Sequence, residues 1–141
     1  MNWLFVLQIM SCFFLTGLIW VIQIIHYPSY HYVHTDNFLK FQEFHTQKIT
    51  YIVAPMMLLE LFTGLALAWF FPEPIYFLNA FSIALVWLST FFLSVPLHSK
   101  LMKQYDQMLI TKLIISNWPR TIVWSLRSLF WVAILLSKTH F

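Results

Sequence analysis

Charge is what this chain has least of. Charged residues make up 9% of its 141 positions, against about 25% in a typical soluble domain. So few cannot cover a water-facing surface of this size, and lipid is the solvent that suits the composition. The eight Lys and Arg residues are also too sparse for the clustered basic face that nucleic-acid binding needs, which excludes that partner. Cysteine is nearly absent. Cys12 stands alone, so no intrachain disulfide can form and the redox compartment stays unread. No internal repeat or low-complexity tract breaks the chain, and its length suits one domain, residues 1–141.

Apolar residues are plentiful, at 60%. A membrane-crossing helix needs about 20 of them in a row. Four segments qualify, at about 3–26, 50–71, 75–98 and 118–138. The first has no Lys or Arg ahead of its apolar run and no small-residue cleavage pattern, so it reads as a retained helix. The expectation is an all-α, four-helix transmembrane bundle. FPEP at 71–74 is a tight turn between the second and third spans. Residues 27–49 form a longer link in which Thr35 and Asp36 cap a helix. That helix runs unbroken into span two and projects beyond the bilayer. Residues 100–117 carry apolar groups at 102, 105, 109 and 113, the spacing of an amphipathic helix between spans three and four. Asn117-Trp118-Pro119 reads as a stop followed by a new helix start.

Six of the basic residues, Lys40, Lys48, Lys100, Lys103, Lys112 and Arg120, fall on one side of the four spans. The positive-inside rule puts that side in the cytoplasm, with both termini outside. This is the topology of a multi-pass protein of a bacterial inner membrane, whose first partner is the lipid bilayer.

Polar residues in lipid turn toward other helices, and each span carries a polar stripe. Span one has Gln8, Cys12, Thr16, Gln23 and His26. Span two has Glu60 and Thr63, with His45 on its projecting part. Span three has Trp87, Thr90, Ser94 and His98, and span four has Asn117, Arg120, Trp124, Arg127 and Trp131. Glu60 and Arg127 lie at equal depth, about 15 and 14 Å into spans that run in the same direction. A lone charge there costs at least about 2.5–3.5 kcal/mol, so the two are expected to pair inside the bundle.

Nearer the cytoplasm the stretch VIQIIHYPSYHYVH leaves the bilayer with His26, His31 and His34. His45, His98, Asn117 and Arg120 belong to the same layer, while His140 belongs to the opposite terminus. Three readings stay open. These histidines are interfacial side chains like Tyr27, Tyr30, Tyr32, Tyr51 and Trp118, with an apolar body and a wet tip. Or His26, His31, His34, His45 and His98 bind a transition metal, or hold haem between His26, His45 or His98. No HExxH, Glu-x-x-His or cysteine set accompanies them. Or Arg120, Asn117 and His45 bind an anionic or carbonyl-bearing lipophilic small molecule, with a histidine as general base. On the last two readings the candidate catalytic residues are His26, His45, His98, Asn117 and Arg120. The rival function is a non-catalytic scaffold, homo-oligomeric or binding a lipid or partner.

The runs HYP at 26–28, FQEFH at 41–45 and NWPRTIVWSLR at 117–127, with Pro55 and Glu60, resemble a group of small bacterial four-span inner-membrane proteins. The most distinctive piece is N-W-x-R-T-x-x-W-x-x-R, formed by Asn117, Trp118, Arg120, Thr121, Trp124 and Arg127. More distantly, four short spans, a proline after the first and an arginine early in the last are similar to the anthrone-oxygenase-like membrane family. That likeness implies a redox or oxygenase role toward a lipophilic substrate and carries over no catalytic residue.

Overall fold

The computed structural model describes residues 3–138; His140 lies outside them. Among the described residues there is no strand, and four helices are each long and apolar enough to cross a membrane. They are α1 (Trp3–Tyr32), α2 (Thr35–Phe70), α3 (Pro74–Leu101) and α4 (Gln107–Lys138). The packing is an up-down-up-down square. α1 and α3 each pack on both α2 and α4, so α1 faces α3 across one diagonal and α2 faces α4 across the other.

The distribution of side chains is that of a protein dissolved in lipid. Gln8, Gln42, Glu60, Asn117 and Thr121 are fully buried, while Phe62, Phe92, Trp69 and Leu129 are exposed. In water that arrangement would be unfavourable twice over. In a bilayer the outward apolar groups meet acyl chains and the polar groups satisfy one another inside. This is a multi-pass membrane protein.

α1 extends farther than expected. Residues 27–32 continue the helix, and only Val33 and His34 separate it from α2. Pro28 does not end it because a wide π-helical turn, Ile22–His26, precedes it, with Tyr27 N–H bonding Ile22 O. Proline lacks an N–H and crowds the carbonyl four residues upstream; widening the turn shifts the register and relieves that crowding. α3 repeats the device at the same offset. Its π turn, Thr90–Ser94, closes through Val95 N–H to Thr90 O, and Pro96 follows.

The cap of α2 is His34, whose Nδ1 accepts from Asp36 N–H at 3.4 Å, in place of the expected Thr35 or Asp36. α2 has 36 residues and so runs about 54 Å, well beyond a hydrocarbon core of about 30 Å. Phe71 to Glu73 make the turn into α3, closed by Glu73 N–H to Phe71 O at 2.7 Å.

The segment 100–117 differs from expectation. α3 ends at Leu101, residues 102–106 turn, and α4 then runs from Gln107 to Lys138 straight through Pro119. The amphipathic stretch is therefore the first turns of α4, and no break occurs at Asn117-Trp118-Pro119. The true start is Asp106, whose Oδ1 accepts from Met108 N–H at 2.8 Å and Leu109 N–H at 3.2 Å. The helix survives Pro119 because Ile110, Leu113, Asn117, Thr121 and Trp124 form one continuous buried face across it.

Candidate functional site

Two polar layers tie the bundle together. In the deeper one, Arg127 Nη1 donates to Glu60 Oε1 at 2.5 Å, joining α4 to α2 across the diagonal. Arg127 Nη2 donates to Asn79 Oδ1 at 2.9 Å, and Trp124 Nε1 donates to both Glu60 oxygens at 3.1 and 3.2 Å. α1 joins through Gln8 Oε1, which accepts from Thr63 Oγ1 at 2.8 Å. Asn79 was absent from the polar stripe read on span three. As a carboxamide in an otherwise apolar stretch it carried the same signal as Gln8.

The second layer holds three of the candidate histidines. His26 Nε2 and His45 Nδ1 are 2.6 Å apart, with ring centroids at 4.2 Å, boxed by Tyr30 and Phe41. The His98 ring lies 5.7 Å from that of His45. Gln42 Nε2 donates to His98 Nδ1 at 2.9 Å. A carboxamide nitrogen can only donate, so the His98 proton sits on Nε2, where it is donated to Tyr27 Oη at 2.9 Å. Tyr27 and Tyr30 are core residues, 4% and 0% exposed, which corrects their assignment to the interface; Tyr32 and Tyr51 do face outward.

Asn117 and Arg120 complete the layer. Arg120 Nη2 donates to Asn117 Oδ1. Asn117 Nδ2 donates to Gln23 Oε1 at 2.9 Å, and Gln23 Nε2 to Ile114 O at 3.2 Å. Arg120 is 6% exposed and its Nε has no partner. Among the described residues its guanidinium has no carboxylate within 4.0 Å, whereas that of Arg127 does.

The five-histidine ligand set is not assembled. His31 and His34 are exposed on the outside of the turn, with His34 beside Asp36. Among the described residues no group of three or more His, Cys, Asp or Glu is placed to hold a metal ion. His26 and His45 do not fit as co-ligands. Two nitrogens at about 2.0–2.1 Å from one tetrahedral ion stand about 3.3 Å apart, and 2.6 Å is a hydrogen bond. Ring centroids 4.2 Å apart leave no room for a haem between His26 and His45.

Beside this layer opens a cavity of about 460 Å³, lined by all four helices and including Tyr27, Ser94, His98, Arg120 and Trp124. Its wall is more apolar than its residue names suggest. Thr46, Thr50, Thr90 and Ser99 each spend their hydroxyl proton on a backbone carbonyl of their own helix, as such side chains do in helix interiors. The polar groups left are Tyr27, His98 and Arg120, with Trp87 Nε1 and Ser94 Oγ buried and unpartnered. Tyr27 and Gln42 were not among the expected site residues. Tyr27 is missed because a tyrosine before Pro28 looks like a membrane-surface residue until the helix is seen to continue. Comparisons with protein families, with curated proteins and with solved structures return no match.

Proposed function

We propose that the protein holds a pocket within the membrane for a lipophilic molecule bearing an anionic or carbonyl group, bound at Arg120. One observation carries this reading: an almost fully buried guanidinium, without a carboxylate, lines a mostly apolar cavity of small-molecule size. Intramembrane cations without a partner are costly and mark ligand or ion sites. Cavities of about 300–1,000 Å³ with an apolar wall and a few convergent polar groups are the usual form of small-molecule sites. His98, held by Gln42 and coupled to Tyr27, gives the same pocket a proton donor and acceptor, which suits an enzyme acting on that molecule. The redox or oxygenase chemistry expected above is supported by the distant resemblance alone.

A structural role for part of the histidine layer is a second reading. It is favoured by the His26–His45 contact, which is enclosed by aromatic rings and lies away from the cavity lining. The two roles divide between His26 with His45 and His98 with Arg120.

Native mass spectrometry of the detergent-purified protein tests the pocket. The wild-type chain should retain a lipophile. Ala54→Phe, which fills the cavity wall, and Arg120→Gln should each release it. Equal retention by all three proteins overturns the reading.

A further inference from the structure

The shape of the same cavity says where its occupant comes from and what it carries. Every exposed residue in the lining belongs to α2, to α3 or to the turn that follows α3: Thr50 on one side, Phe91, Val95, Ser99 and Met102 on the other. The lining residues of α1 and α4 are all buried or half-buried. The opening is therefore a seam between α2 and α3, alongside the π turn Thr90–Ser94. Helices bend where such turns occur. Phe91 and Val95 lie within the apolar length of α3, so the seam faces acyl chains.

At the inner end of the seam stand two donors. Arg120 is one. Tyr27 is the other, because its oxygen already accepts from His98 Nε2, and no hydrogen bond among the described residues uses its own proton. Arg120, Tyr27 and His98 all line the same cavity. Arg120 Nε and the Tyr27 hydroxyl proton, without acceptors, call for a group that only accepts, and a guanidinium without a carboxylate calls for a negative one. Arg120 is nine-tenths buried, so that group must be small. A carboxylate is, and its planar fork matches a guanidinium. The volume of about 460 Å³ lies in the lower half of the range for small-molecule pockets and takes one chain in preference to two.

Resting on the pocket reading above, we propose that the ligand is a single-chain lipid carboxylate that enters sideways from the bilayer between α2 and α3 and docks its head on Arg120 and Tyr27.

Displacement of the fluorescent single-chain acid cis-parinaric acid from the full chain in detergent tests the head group, with oleate, methyl oleate and lysophosphatidylglycerol as competitors. Oleate should compete best, with the uncharged ester and the lysophospholipid each weaker by about tenfold or more. Arg120→Gln should lower oleate affinity about tenfold and leave methyl oleate unchanged. Arg120→Lys should recover part of the loss, and Tyr27→Phe should cost less than Arg120→Gln. Methyl oleate competing as well as oleate overturns the carboxylate and leaves the pocket standing. So does lysophosphatidylglycerol competing better. Should no competitor bind, or Ala54→Phe change nothing, the pocket fails too. Stopped-flow uptake of cis-parinaric acid into protein in lipid nanodiscs tests the route. Val95→Trp at the seam should slow uptake while Arg120 stays intact, and an unchanged rate overturns sideways entry.

Discussion

At the residue scale the deep ion pair was the most legible feature. Two charges of opposite sign at equal depth in parallel spans have few alternatives to meeting, and Arg127 and Glu60 do so at 2.5 Å. Their supporting ligands were less legible. Trp124 stands in the polar stripe read on span four, but the stripe alone does not reveal that its indole N–H bridges both carboxylate oxygens. Glu60→Gln or Arg127→Gln leaves an uncompensated buried charge, so each should destabilise the bundle by about 3–5 kcal/mol. The exchange Glu60→Arg with Arg127→Glu should recover part of that in thermal unfolding in detergent; strictly additive losses would contradict the pairing. Gly64 has a different importance. A Cβ there would run into Ile83 Cδ1 and stand 3.2 Å from Gln8 Oε1 and 3.3 Å from Asn79 Nδ2. All three neighbours are buried and have little room to give. Gly64→Ala should cost about 1–3 kcal/mol by overpacking. Adding Ile83→Val should restore most of the loss, and a single substitution without effect would show that α2 and α3 separate freely at this level.

At the scale of elements, the number of spans and the long α2 followed from the apolar runs, and the errors fall at two prolines, Pro28 and Pro119. Pro28, Pro96 and Pro119 all lie inside helices. Rules drawn from soluble proteins treat proline as a boundary. In lipid a helix end exposes carbonyls to a solvent that offers no hydrogen bonds, so continuing past the proline is the cheaper choice. Two of the three prolines are accommodated by π turns, which no hydrophobic periodicity reveals. The turn at Ile22–His26 ends on His26, and the turn at Thr90–Ser94 stands four residues before His98. The register shifts thus help aim the rings of the histidine layer, and their positions could not be read by counting 3.6 residues per turn. No π turn accompanies Pro119, which is exposed. Pro119→Ala should restore one backbone hydrogen bond and raise stability, by at most about 3 kcal/mol. A lowered thermal midpoint would mean that the proline is required by the shape of α4.

At the scale of the whole molecule, the histidine end and the FPEP end differ in chemistry, and that difference predicts an orientation. Lys40 and Lys48 on the projecting turns of α2, Lys100 and Lys103 around the end of α3, and Lys112 in the first turns of α4 all lie at the histidine end. The turn from Phe71 to Glu73 at the other end has none. Positive charge near span ends resists translocation, so the histidine end should face the cytoplasm. The single native cysteine is fully buried and gives a silent background for labelling. With a membrane-impermeant maleimide on intact cells, Glu73→Cys should react, while Asp36→Cys should react only after the membrane is opened. Both side chains are exposed in the fold, so a difference between them reports sidedness and not burial. The reverse pattern would put the lysines outside. The seam between α2 and α3 would still open to lipid, but its head-group end would then lie near the outer leaflet, and an acid reaching Arg120 would come from that leaflet instead of the cytoplasmic one.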